Sequence, residues 1–217
     1  MKGWPILMQN YNMVRISCIQ ENNKMCVGEF SDIVKICLKS GITQFDLTPI
    51  RTDPFLDPHI NERINLLSSN NEVKKIRVFT NMLKEGPIFS SIKCPKLELN
   101  VVVYGNTRSL FKSQVGSDMY GLFIKNFRTL VEYVYNNPEL KKQLIIRKRF
   151  RGRFNQPNLD DYNDLSRWIL YSKKMNIQMI DNTTTDLNDA EICIFPGGDI
   201  KVNSLTIGNI HRNQLLQ

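Results

Sequence analysis

The chain has 217 residues, and its 29 Lys and Arg against 21 Asp and Glu give a formal charge of +8. An apolar share of 41% and a charged share of 23% lie near globular averages and exclude wholesale disorder. No apolar run approaches the ~20 residues of a membrane span. The stretch before Gln9-Asn10-Tyr11-Asn12 is too short and interrupted for a signal peptide, so a cytoplasmic chain with no membrane partner is expected.

Residues 6–8 make a first short apolar run. Residues 32–38 read as a helix, with Ile33, Val34 and Cys37 spaced for one buried face, Ser31 as N-cap and Gly41 as the stop. Residues 42–47 then read as a strand, 58–67 as a helix with Ile60, Ile64 and Leu67 on one stripe, and 76–80 as a strand. The β-branched density of 97–104 predicts a fourth strand. Residues 120–135 form the longest predicted helix, with Leu122, Phe123, Phe127, Leu130, Val131 and Val134 on a wide apolar face. A strand over 144–150, a helix over 159–172 and a strand over 177–180 complete the series. Such alternation indicates βα units and a largely parallel sheet, either an open doubly wound sheet or a partial barrel. From Asp189 the alternation is lost, and the tail with Pro196-Gly197-Gly198 reads as a short appendage.

Cys18, Cys26, Cys37, Cys94 and Cys193 form no CxxC pair and are odd in number, which argues against a secreted disulfide framework. They read as ordinary buried thiols. His59 and His211 are the only histidines, so zinc sites built on His pairs are excluded. Neither histidine lies in a nucleophile motif.

Several strings, in order, resemble the radical SAM superfamily. That family carries cysteines spaced C-x3-C-x2-C in the loop after its first strand, and the same spacing here falls on Tyr11, Arg15 and Cys18. Met25-Cys26-Val27-Gly28-Glu29-Phe30 is similar to the family's helix entry, and Thr52-Asp53-Pro54-Phe55-Leu56-Asp57-Pro58 to its Gly-Glu-Pro segment. Thr80-Asn81 is similar to the end of the third strand, Val103-Tyr104-Gly105 to the turn after the fourth, and the helix of Asn126 to the one behind it. The tail, with Cys193, Asp199-Ile200-Lys201-Val202 and Ile207-Gly208-Asn209-Ile210, resembles a shortened SPASM-type extension. The resemblance implies a partial (β/α)6 TIM-like barrel over 1–188, a SPASM-like tail over 189–217, and a ligand site at the carboxyl ends of the strands.

The family's 4Fe–4S cluster takes three thiolates and leaves its fourth iron for S-adenosylmethionine. Tyr11 and Arg15 offer no thiolate: a Tyr hydroxyl stays protonated near neutral pH, and Arg never loses its proton. No metal site and no cofactor are therefore expected, and no radical catalysis. Asp53, Thr80 and Asn81 mark what the resemblance implies is a vestigial cofactor pocket, with Asp53 at the place that receives the methionine amino group. The bland alternative for Asp53 is an Asp-Pro turn that caps the next helix.

Arg147, Lys148, Arg149, Arg151 and Arg153, interleaved with Phe150 and Phe154, form a stretch without an acid. Strand alternation would put Arg147, Arg149, Arg151 and Arg153 on one side while the strand lasts. Arginines interleaved with aromatics suit phosphate contact and base stacking. The bland alternative pairs the later ones with Asp160, Asp161 and Asp164. Three function classes follow. The leading expectation is a catalytically degenerate protein that binds a protein or peptide partner. The alternatives are a nucleic-acid or other polyanion-binding module built on 147–153, and an enzyme with non-radical chemistry in the retained barrel pocket.

Overall fold

The computed structural model describes residues 11–20, 23–50, 52–84, 91–151, 153–181, 192–202, 205–209 and 214–215. The chain divides into two compact units, residues 1–78, 94–97 and 187–217 in the first, and 79–93 and 98–186 in the second.

In the first unit, β1 (Met13–Ile16) buries Val14 and Ile16 completely. It pairs in parallel with β4 (Gln44–Asp46) on one side and β9 (Ile192–Ile194) on the other. This corrects the loop expected over 11–18: the alternation of Val14 and Ile16 with Arg15 is a period of two and forms a strand. The strand expected over 6–8 lies outside the described residues. After β1 comes a small hairpin, β2 (Ile19–Gln20) and β3 (Asn23–Lys24), then α1 (Val27–Lys39).

Helix α1 begins before the predicted start, so Ser31 lies inside it and Cys26 is the N-cap. The apolar stripe reaches back to Phe30, which is buried with Ile33, Val34 and Cys37. Gly41 follows the helix with φ +86°, as a stop signal should. A 3-10 turn (Pro54–Leu56) and α2 (Ile60–Ser69) lead to β5 (Lys75–Thr80), which pairs in parallel with β4. The tail supplies β9, then β10 (Asp199–Val202), β11 (Leu205–Asn209) and β12 (Gln214–Leu215), joined antiparallel.

In the second unit, β6 (Leu97–Val103, its first residue counted with the other unit), β7 (Leu144–Lys148) and β8 (Gln178–Asp181) are parallel neighbours. Helix α4 (Tyr120–Asn136) buries Phe123, Phe127, Leu130 and Val134, while α5 (Leu165–Lys174) packs beside it. Between β6 and α4 lies α3 (Arg108–Val115), which periodicity does not reveal because Phe111 is its one buried residue. Thr107 caps its start and Gly116, at φ +78°, ends it. The strand expected over 144–150 stops at Lys148, and the helix expected from 159 starts at Leu165, where the Asp164 carboxylate caps it. Parallel strands alternating with helices make a partial TIM-like α/β fold, the one the resemblance implies and one of the two that the sequence pattern leaves open.

Candidate functional site

The three positions matched to cluster ligands have separate fates. Tyr11 stands before β1. Arg15 is inside β1 in register with Asp46 on β4, and Asp46 is in register with Arg77 on β5. Strand alternation sends all three to the face opposite Val14, Phe45 and Ile76. Asp46 is fully buried, and its Oδ2 accepts from Arg15 Nε (3.3 Å) and Nη2 (3.1 Å) and from Arg77 Nε (3.2 Å) and Nη2 (3.0 Å). Its Oδ1 accepts from the Thr48 N–H at 2.8 Å. Arg15 is thus part of a buried ion cluster. Neither Asp46 nor Arg77 stands out in the sequence motifs, although a charge between apolar neighbours in each strand marks a polar face.

Cys18 begins the loop after β1 and is 2% exposed. Its thiol donates to the Ile16 carbonyl at 3.6 Å, and burial pushes its pKa up to about 12 against a smaller lowering by Arg63. Cys26 closes the same loop in an exposed position, where its Sγ accepts from the Glu29 N–H at 3.3 Å. Arg63, on α2 and fully buried, holds this loop in place. Its guanidinium pairs with Asp57 (2.7 Å), donates to the carbonyls of Met25 and Cys26, and lies 5.0 Å from the Phe30 ring.

The fit of a 4Fe–4S cluster can be judged from these donors. Such a cluster needs three thiolates, and residues 17–26 supply two thiols, one of them sealed in the core. Among the described residues, no group of three or more His, Cys, Asp or Glu is gathered as a metal would require. The residues present do not fit the group.

Asp53 belongs to the first unit, Thr80 and Asn81 to the second. Asp53 is buried and caps the 3-10 turn, its Oδ1 accepting from the Phe55 N–H at 2.9 Å. Beside it, the buried Thr52 hydroxyl has no hydrogen-bond partner among the described residues. Thr80 Oγ1 accepts from the Met82 N–H (3.0 Å), and Asn81 Oδ1 from the Leu83 N–H (3.1 Å). Both bonds shape a turn in which Met82 takes φ +58° and its carbonyl accepts from the Nδ2 of buried Asn126 at 2.7 Å.

The basic stretch splits at the end of β7. Arg147 Nε donates to Asn100 Oδ1 at 2.5 Å, and its guanidinium lies 5.0 Å from the Phe79 ring. Lys148 pairs with Asp181 at 2.9 Å. Because the strand stops there, Arg149, Arg151 and Arg153 do not continue a strand face, which corrects the single-sided row. Arg151 and Arg153 are exposed, and among the described residues none of the three forms an ion pair. Asp164, one of the acids offered for them, instead accepts from the N–H groups of Ser166 and Asn158.

No family model matches the chain, and no curated protein matches its sequence. Two crystal structures of SuiB from Streptococcus suis are similar in fold. The one bound to S-adenosylmethionine has a TM-score of 0.50 and the other 0.53, each at 11% identity. The likeness covers 94% of this chain and 64% of SuiB, so the chain spans a little under two thirds of that protein's length. At this identity the likeness is one of fold alone.

Proposed function

We propose that this chain is a catalytically degenerate radical-SAM-like protein that works by binding a protein or peptide partner, with residues 189–217 a shortened form of the SPASM-type extension. The donor set between β1 and α1 carries this reading: two thiols, one with its pKa pushed up to about 12, where the superfamily's chemistry needs three thiolates. The loop itself is well held, by the hairpin and by Arg63, so its shape persists without that ligand set. Persistence of shape without the reactive group favours a role in recognition over one in radical chemistry.

The test is anaerobic reconstitution with iron and sulfide, followed by titration with S-adenosylmethionine. The expected result is no stoichiometric iron and a dissociation constant weaker than about 1 mM, roughly −4 kcal/mol. About four irons per chain with bound sulfide would overturn the reading. Micromolar S-adenosylmethionine binding that Asp53→Ala abolishes would put an enzyme in its place. A second reading, polyanion binding, is favoured by the exposed Arg151 and Arg153 beyond β7, which form no ion pair among the described residues.

A further inference from the structure

A groove runs between the C-terminal half of α4 and the length of α5, wholly inside the second unit. Its cavity is about 190 Å³. Cofactor-sized pockets run to about 300–1,000 Å³, so this one suits a single ring system. The walls are aromatic: Tyr162 lies 5.9 Å from Trp168, and Trp168 lies 5.7 Å from Tyr171, between ring centroids. Tyr135 closes the α4 side, and it and Tyr162 stay 63% and 54% exposed.

Arg167 places a planar cation beneath this surface, where its guanidinium also donates to the Leu159 carbonyl. It is 8% exposed, its guanidinium lies 4.0 Å from the Tyr162 ring centroid, and it forms no ion pair among the described residues. Glu132 and Asn136 also line the groove, one helical turn apart on the same face of α4. Neither side chain makes a hydrogen bond among the described residues, so a carboxylate acceptor and an amide remain for the edge of a bound ring. Exposed lysines follow at the same ends of the two helices, Lys141 and Lys142 after α4 and Lys173 and Lys174 in the last turn of α5. Asp160 and Asp161 precede α5, at its other end.

We infer that this groove is a base-binding site for a single-stranded nucleic acid. Aromatic rings and a guanidinium plane are the surfaces on which unstacked bases sit, with hydrogen-bonding groups reading the base edge. The lysines supply the cations that a phosphate backbone needs. An apolar side chain of a protein partner would fill the same rings and leave those cations, Glu132 and Asn136 without a role. The inference does not depend on the partner-binding reading, and the outcome of cluster reconstitution leaves it untouched.

The experiment follows Trp168 fluorescence in the full chain carrying Trp4→Phe, which leaves Trp168 as the one tryptophan. The probes are an eight-nucleotide riboadenylate strand, adenosine monophosphate, inorganic phosphate and N-acetylphenylalaninamide. The expected result is saturable quenching by the strand, weakened by salt, with weaker binding of the mononucleotide and none of phosphate. Tyr135→Ala and Tyr162→Ala, both at exposed rings, should each weaken strand binding about 5- to 100-fold with an unchanged circular dichroism spectrum. Replacing Lys173 and Lys174 with Gln should flatten the salt dependence. Equal affinity for mononucleotide and strand would overturn the inference in favour of a free nucleotide. Binding of N-acetylphenylalaninamide without nucleotide binding would assign the groove to a protein side chain. No quenching by any probe would remove the site.

Discussion

Asp46 takes both guanidiniums on one carboxylate oxygen while the Thr48 N–H occupies the other. A carboxylate with no exposure is costly to desolvate, and its partners offset that cost only while the pair is complete. Asp46→Asn keeps the shape and removes the charge from between Arg15 and Arg77, so it should destabilise the fold by about 3–5 kcal/mol. The measurement is the urea midpoint, which should fall with little change in slope. The thiols differ in the same physical way. Burial raises the pKa of both Cys18 and Cys37 to about 12 from 9.0, whereas Cys26 is exposed. Maleimide at pH 8 should therefore label Cys26 in the folded chain and leave Cys18 and Cys37 unlabelled until denaturant is added. The raised values also fix the sign of a pH effect. Above pH 9 the unfolded chain loses these protons and the folded chain keeps them, so the stability present below pH 9 should be lost as pH rises towards 12. Unfolding midpoints measured across that window would check it.

At the scale of elements, ends rather than middles carry the information that positions loops. Helix α1 starts at a cysteine cap, and a sulfur is a weak acceptor that no capping preference points to. Helix α5 waits for Asp164, because residues 159–163 form a turn in which the Tyr162 carbonyl accepts from Trp168 Nε1 at 2.8 Å. The connection from β6 to α3 depends on Gly105. A Cβ there would meet the Phe111 backbone nitrogen at 2.6 Å and the Leu110 carbonyl carbon at 2.9 Å. Backbone cannot step aside as a side chain can, so Gly105→Ala should cost about 1–3 kcal/mol. Chemical denaturation would read this, with Gly121→Ala as a control at a helical glycine where nothing lies within 4 Å of the added carbon.

For the whole molecule, a formal charge of +8 sets the long-range field. Part of the basic stretch is spent internally, since Arg147 bonds Asn100 and Lys148 pairs with Asp181. Within this stretch, any contact with a polyanion then falls to the residues past the strand. Replacing Arg149, Arg151 and Arg153 with Gln should weaken binding to RNA or DNA and lower the slope of log affinity against log salt by up to about three. The same substitutions at Arg147 or Lys148 should act on stability instead. Absence of any salt-dependent binding by the wild type at low ionic strength would end the polyanion reading. The likeness to SuiB bears on none of this, because 11% identity carries the fold and leaves the surface undetermined.

The amino-acid sequence by itself determined the βα alternation, because buried strands and amphipathic helices write their periods of two and 3.6 directly into the order of apolar residues. Five strands from β4 to β8 and helices α1, α2, α4 and α5 were legible in this way, with errors at their ends. The thiol count was legible too, and with it the misfit to a three-thiolate cluster. Tertiary structure alone decided which residues meet. Strand pairing brings Arg15, Asp46 and Arg77 side by side from positions 31 residues apart, and helix packing builds the groove of Tyr135, Tyr162 and Trp168. A period records which face is buried, but it carries no information about which distant strand or helix will cover that face.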